Sequence, residues 1–122
     1  MTRHAERTAV GAHYGLRDWL AQRITAVVLL AFLLALAVEL ATAFASADGI
    51  DRARWVGVFR PMAMKLLGTL AAASLCFHAW IGMRDIWMDY IKPVGLRLAL
   101  HVGTILWLAA CFVWSVQIMW SV

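Results

Sequence analysis

Three long apolar stretches leave this chain of 122 residues few ways to fold. They cover residues 24–47, 66–83 and 98–120, and the first is interrupted by Glu39. Each is close to the roughly 20 residues that an α-helix needs to cross the bilayer core. A soluble domain carries about a quarter charged residues, whereas this chain has 15% charged and 64% hydrophobic residues. The sequence therefore predicts an all-α membrane protein with three transmembrane helices, in a single domain that spans residues 1–122.

Turn-forming residues predict where these helices begin and end. Asp48 and Gly49 terminate the first helix, Pro61 suits the first turn of the second, and Lys92-Pro93 separates the second from the third. We expect helices over about residues 17–46, 61–88 and 96–120, with a short polar connector over 51–55 that forms a helical turn on the surface.

The distribution of lysine and arginine predicts the orientation in the membrane. Seven of these residues lie in the N-terminal tail, at the entry to the first helix or around the connector after the second, and four lie around the connector between the first two helices. Because positive charge accumulates on the cytoplasmic side, we expect a multi-pass protein with its N-terminus inside. The polar stretch 1–18 and the long apolar run after it argue against a cleaved signal peptide and favour a bacterial inner membrane. The net charge of +4 then indicates contact with membrane lipid and not nucleic-acid binding.

His78 lies inside the second apolar stretch, where no other side chain except a cysteine ionises. An ionisable group at bilayer depth is costly, so its default interpretation is functional. One hypothesis is an axial ligand to haem iron through a neutral ring nitrogen. The small residues Ala71, Ser74 and Gly82 flank His78 and would leave room for a flat macrocycle. The other hypothesis is a histidine bonded to a carbonyl or hydroxyl of a neighbouring helix, and position alone favours neither.

One histidine does not complete a six-coordinate haem. His101 is the other candidate within an apolar stretch, but it lies near the inner end of the third helix, at a different depth from His78. We therefore expect a second axial ligand from another chain. The sequence around Cys76 is not the C-x-x-C-H of covalently attached haem, and Cys76 and Cys111 form no CxxC pair.

A polar face continues from His78 toward the end of the second helix. At about 100° per residue, Gly82, Asp85 and Asp89 lie within about 40° of the His78 direction, and Asp89 lies about 16 Å further along. Tyr90 follows Asp89. A phenol beside a carboxylate can donate a hydrogen bond to a quinone carbonyl and relay a proton. The alternative is an interfacial tyrosine anchor next to a helix-terminal aspartate.

Two arginines lie where the first helix enters the membrane. Arg23 lies at the start of the apolar stretch, and Arg17 lies about two turns earlier. Either guanidinium can pair with a haem propionate or a lipid phosphate. The alternative is an arginine whose charge simply extends to the inner interface.

Two motifs resemble the hydrophobic membrane anchor D subunit of succinate dehydrogenase (succinate:quinone oxidoreductase, respiratory complex II). The first is RDWLAQRITA at residues 17–26, with an aspartate, an aromatic residue and an R-x-T-A pattern at the start of the first helix. The second is His78-x-Trp80-x-Gly82-Met83, followed by Asp89-Tyr90-x-Lys92-Pro93 and Leu96-Arg97. The spacing from the histidine to the Asp-Tyr pair matches, and the resemblance covers about residues 15–100.

This resemblance implies half of a heterodimeric anchor bundle, paired with a cytochrome b anchor subunit. The two chains would hold one b haem, with His78 as one axial ligand to the metal and a histidine of the partner as the other. Tyr90 would hydrogen-bond a ubiquinone carbonyl, with Asp89 beside it. Arg23 would lie near a haem propionate. Arg17 stands where some members have a histidine close to the haem edge, and it would pair with a propionate too.

The resemblance also implies a flavoprotein subunit and an iron–sulfur subunit docked on the inner side. Succinate would be oxidised at the flavin, as a step of the tricarboxylic acid cycle, and iron–sulfur clusters would pass the electrons to quinone in the respiratory chain. This chain would then be a subunit of succinate dehydrogenase that performs no succinate chemistry itself. Two alternatives are a fumarate reductase anchor that uses menaquinone and a cofactor-free membrane scaffold or transporter subunit. The second alternative does not explain the spacing from His78 to Asp89-Tyr90.

Overall fold

The computed structural model describes residues 12–45, 49 and 51–122, and this part of the chain is helical without β-strands. Four helices follow one another: α1 Ala12–Phe44, α2 Arg52–Phe59, α3 Met62–Tyr90 and α4 Val94–Trp120. By length and composition, α1, α3 and α4 are each able to cross a membrane. The predicted all-α fold with three transmembrane helices is therefore confirmed.

The first helix begins earlier than the sequence predicts, at Ala12. Residues 12–16 contain no proline to stop a helix, so the helical hydrogen bonds continue beyond the apolar stretch. Beyond its end, Gly49 has a φ of +73°, a left-handed conformation that glycine adopts without steric penalty. Asp48, the other predicted terminator, lies outside the described residues, as do Arg3 and Arg7, which contribute to the predicted orientation.

The connector between α1 and α3 contains the short helix α2. Asp51 caps its N-terminus, since the Asp51 carboxylate accepts a hydrogen bond of 2.8 Å from the backbone N–H of Arg54. The predicted polar connector is thus an eight-residue helix. Its Val58 is buried, and α2 packs against both α1 and α3.

The helix α3 is the centre of the bundle, since it packs along both α1 and α4. Its buried positions are Met64, Gly68, Ala71, Ser74 and Ile81. Three of them, Gly68, Ala71 and Ser74, are small and let helix backbones approach closely, which is how transmembrane helices gain packing energy without a hydrophobic driving force. A Cβ atom on Gly68 would collide with Met119 Cε of α4 and would lie 3.7 Å from a ring carbon of Phe32 of α1. Gly68 therefore lies where the three long helices meet.

Candidate functional site

His78 lies at the interface between α3 and α1. Its ring nitrogen Nδ1 lies 3.0 Å from the hydroxyl oxygen of Thr25, and Thr25 is buried. The backbone carbonyl of His78 accepts a hydrogen bond of 3.2 Å from Gln22 Nε2. Two side chains of α1 therefore hold the backbone and the ring of the same histidine.

The spacing along the two helices explains this arrangement. Asp18, Gln22 and Thr25 follow one another at positions i, i+4 and i+7, so they share one face of α1. His78 and Asp85 share a face of α3 by the same rule. Because the chain reverses direction between α1 and α3, Asp18 lies opposite the later part of α3, and Thr25 lies opposite His78.

A group of charged side chains lies below His78 at this interface, in the direction of the α3 C-terminus. The Arg84 guanidinium forms an ion pair with Asp18 of α1 and lies 3.6 Å from a carboxylate oxygen of Asp85. The side chains of Arg84 and Asp18 are 34% and 36% exposed, so water or headgroups partly screen the pair. The pair links the polar ends of the two helices.

A cavity of about 660 Å³ opens beside His78, and we call it the His78 cavity. It is lined by Gly15, Asp18, Trp19, Gln22, Arg23 and Ala26 of α1 and by His78, Ile81 and Asp85 of α3. Its volume is in the range of cofactor pockets, about 300–1,000 Å³. Gln22 Oε1 is buried and has no hydrogen-bond partner among the described residues, so this region retains an unused acceptor.

The two predicted arginines occupy different places. The Arg23 guanidinium carbon lies 5.2 Å from the centroid of the Trp19 ring, and both side chains line the His78 cavity. A cation over an aromatic face is held by the quadrupole of the ring. Arg17 is exposed and does not line this cavity. The structure therefore brings Arg23, but not Arg17, to the cavity beside His78.

The Asp89-Tyr90 pair lies at the last two positions of α3. Both residues are exposed, Tyr90 by 79%, and neither lines the His78 cavity. Asp85, one turn earlier, does line it. The polar face of α3 that the sequence predicts thus extends from the cavity at His78 and Asp85 to an open surface at Asp89.

The second intramembrane histidine faces away from this site. His101 Nδ1 lies 2.7 Å from the Arg97 carbonyl of its own helix, and its ring packs edge-on against Trp80 at a centroid distance of 5.7 Å. Trp80 lines a different cavity, between α3 and α4. In the described part of the chain, no group of three or more His, Cys, Asp or Glu side chains is arranged to hold a metal ion.

The sequence did not single out Thr25 and Gln22 as partners of His78, nor Asp18 as the partner of Arg84. A signal was available in the spacing of Asp18, Gln22 and Thr25, which places three polar groups on one face of a largely apolar helix. Polar groups on a buried helix face need polar partners on the neighbouring helix. On α3, His78 and Asp85 lie at this interface.

Comparison with known proteins finds a matching family model and similar proteins. The family model described as succinate dehydrogenase/fumarate reductase transmembrane subunit matches residues 2–115. A protein of Coxiella burnetii (strain RSA 493 / Nine Mile phase I), named succinate dehydrogenase hydrophobic membrane anchor subunit, is 35% identical over 106 residues. That alignment covers 87% of this chain and 89% of the Coxiella protein.

Proposed function

The chain belongs to the succinate dehydrogenase/fumarate reductase transmembrane subunit family, and from this premise we propose that it anchors a succinate:quinone oxidoreductase in the bacterial inner membrane. The predicted resemblance to the succinate dehydrogenase membrane anchor subunit is confirmed. In this proposal, residues 1–122 are one anchor domain that pairs with a cytochrome b anchor subunit to form a heterodimeric bundle. The chain takes part in electron transfer from succinate to ubiquinone but does not oxidise succinate itself.

The observation that carries the proposal is that His78 and Arg23, from different helices, line the same cavity. A b haem requires an axial donor atom, room for its ring and cations near its propionates. His78 has one ring nitrogen bonded to Thr25, and its other nitrogen has no hydrogen-bond partner among the described residues. The residues present therefore fit the group that the family implies.

When bound, a b haem supplies a one-electron carrier shared with the partner subunit. His78 would hold the iron through a ring nitrogen, and a histidine of the cytochrome b anchor subunit would complete the site. Arg23, which lies over the Trp19 ring, would pair with a propionate. Arg17 would pair with a propionate too, from its exposed position outside the His78 cavity.

The exposed apolar side chains support a membrane environment with a partner. Val27, Leu30, Leu34 and Val38 of α1 are each more than half exposed. Apolar area of this extent on one helix marks a surface that lipid or another chain covers. In the proposal, lipid and the cytochrome b anchor subunit share this surface.

The proposed quinone site is the end of α3. The Tyr90 hydroxyl donates a hydrogen bond to a ubiquinone carbonyl, and the Asp89 carboxylate beside it accepts and passes on a proton. Their exposure in the single chain supports this, because a quinone and the other subunits need access to both groups. The iron–sulfur and flavoprotein subunits dock on this side, where seven of the eleven lysines and arginines lie.

The proposal is tested first on the purified complex. We expect the reduced-minus-oxidised absorption spectrum to contain a b-type band, and we expect a flavoprotein, an iron–sulfur protein and a second three-helix anchor to copurify. The quinone that copurifies distinguishes a ubiquinone-reducing enzyme from a menaquinone-dependent fumarate reductase. A complex without any b-type band would contradict the haem assignment.

The quinone assignment is tested by Tyr90→Phe. We expect succinate:quinone reductase activity to fall by about 100-fold, since a positioned proton donor contributes typically 10²–10⁴-fold. Succinate oxidation with an artificial acceptor should persist, because the flavin lies in another subunit. The control is Trp114→Phe, an exposed aromatic residue near the other end of the bundle. Unchanged quinone reductase activity in Tyr90→Phe would contradict the role of Tyr90.

A further inference from the structure

We propose that Thr25 is a positioning residue for His78. Its hydroxyl oxygen accepts a hydrogen bond from Nδ1–H and so leaves Nε2 as the ring nitrogen with a free lone pair. This inference rests on the proposed function, in which His78 is an axial ligand, and it adds which ring nitrogen binds the iron and what selects that nitrogen.

The contacts of Thr25 Oγ1 determine where its hydroxyl proton lies. A threonine hydroxyl has a single proton to donate and lone pairs to accept. The Thr25 Oγ1 atom lies 2.7 Å from the Ala21 carbonyl oxygen and 3.1 Å from the Gln22 carbonyl oxygen. Carbonyl oxygens only accept, and 2.7 Å is the common length of an O–H···O bond. The hydroxyl proton therefore belongs to the bond from Thr25 to Ala21.

The third contact of Thr25 Oγ1 is with the ring of His78. His78 Nδ1 lies 3.0 Å from Thr25 Oγ1, the common length of an N–H···O bond. Since the hydroxyl proton is already donated, the ring nitrogen must be the donor. A neutral imidazole with a proton on Nδ1 has its lone pair on Nε2, and an iron ligand requires that lone pair.

The surroundings make this bond persistent. Thr25 is 7% exposed, so water does not compete for its hydroxyl. A β-branched side chain in a helix has few rotamers, and the back-bond to Ala21 restricts this one further. The bond from Gln22 Nε2 to the His78 carbonyl holds the backbone at the same position. The ring of His78 therefore has a defined orientation before any ligand binds.

Gly82 contributes to the same arrangement. The atom nearest to a Cβ built on Gly82 is Gln22 Nε2, at 3.8 Å. An alanine would make ordinary contact there, but a longer side chain would occupy the place of the Gln22 amide. The small residue one turn after His78 thus leaves room for the side chain that bonds to the His78 backbone.

The test compares Thr25→Val with Thr25→Ser in the complete complex. Valine has the shape of threonine without the hydroxyl, whereas serine keeps the hydroxyl. A hydrogen bond that a ligating histidine donates through its other ring nitrogen raises the basicity of the histidine, and loss of the bond typically lowers metal affinity by about 10–100-fold. We expect Thr25→Val to weaken haem retention by that factor and to raise the haem reduction potential, since a less basic ligand stabilises the ferric state less. A tenfold difference in binding between the two oxidation states corresponds to about 59 mV.

Thr25→Ser should retain haem and potential close to those of the unaltered protein. If Thr25→Val prevents assembly, Thr25→Ala removes the same hydroxyl with a smaller side chain, and it must shift the potential in the same direction. Unchanged haem retention and potential in the hydroxyl-free variant would overturn the proposal. A lower melting temperature with an unchanged potential would overturn it too, because it would reduce Thr25 to a packing role.

The variant His78→Ala distinguishes failure of this inference from failure of the proposed function. If His78→Ala leaves the b-type spectrum unchanged, the ligand assignment itself fails. If His78→Ala removes the spectrum and the hydroxyl-free Thr25 variants alter nothing, the ligand assignment stands and only the role of Thr25 is wrong.

Discussion

The two faces of α3 both pack against a transmembrane helix, but they do so with different chemistry. Toward α1, the contacts include Thr25 with His78, Gln22 with the His78 carbonyl, and the ion pair of Arg84 with Asp18. Toward α4, the Trp87 indole donates to Thr104 at 3.1 Å and the Cys76 thiol donates to the Leu108 carbonyl at 3.6 Å. Most of that second interface is apolar.

The cavities at the two interfaces differ in the same way. The cavity between α3 and α4, about 500 Å³, is lined by Ala73, Cys76, Phe77, Trp80, Ile105, Leu108, Ala109 and Phe112 and has no charged group. The His78 cavity has Arg23, Asp18 and Asp85 in its walls. The α1 interface also retains unused bonding capacity at Gln22 Oε1. Polar contacts in a membrane can orient helices, and among the described residues the buried side-chain atom without a hydrogen-bond partner, Gln22 Oε1, lies at the α1 interface.

The two intramembrane histidines give the largest expected difference between these faces. His78→Ala should remove the b-type absorption band, because it deletes the proposed donor atom. His101→Ala should leave that band in place, since the His101 ring packs on Trp80 at the α4 interface. The measurement is the reduced-minus-oxidised spectrum of each purified complex. Loss of the band in His101→Ala alone would reverse the functional assignment of the two faces.

The second test alters packing at the junction of the three long helices. Gly68→Leu forces side-chain atoms into the place of Met119, and overpacking of this kind costs about 1–3 kcal/mol. We expect a lower thermal stability of the complex and an unchanged position of the b-type band. Gly68→Ala is the control, because the flexible end of Met119 can move away from a single methyl group. A shifted band with unchanged stability would show that this junction is coupled to the haem site.

The smallest expected effect separates the two arginines. Arg23→Gln removes a cation from the His78 cavity and should lower the haem reduction potential, because a nearby positive charge favours the reduced state. The corresponding change in the free energy of reduction is on the order of 1 kcal/mol. Arg17→Gln should change the potential less, since Arg17 does not line the cavity. Redox titration of the b-type band measures both variants. Equal shifts would place Arg17 as close to the haem as Arg23.

Several features of the fold and site could be predicted from the sequence because they depend on local spacing or on composition. The three spans follow from apolar length, and the break before α4 follows from Pro93. His78 was identifiable as an ionisable group in an apolar run. The sequence predicted a helical turn over 51–55 but not the full helix α2, Arg52–Phe59. Asp51, an N-cap residue, signals where this helix starts.

Other features depended on how α1 and α3 pack together. The sequence left two hypotheses for His78, a haem ligand or a histidine bonded to a hydroxyl of a neighbouring helix. The structure contains that hydroxyl bond, to Thr25, and the bond uses only one of the two ring nitrogens. The two hypotheses are therefore compatible, which position along the chain could not reveal.

The sequence alone determined a three-helix membrane protein with one deep histidine and a polar helix end at Asp89-Tyr90, because apolar length and side-chain chemistry are local properties. Only the tertiary structure decided that Thr25 and Gln22 meet His78 and that Arg23, not Arg17, lines its cavity. The physical reason is that rotation and sliding of one helix against another are set by side-chain packing and hydrogen bonds between segments more than fifty residues apart.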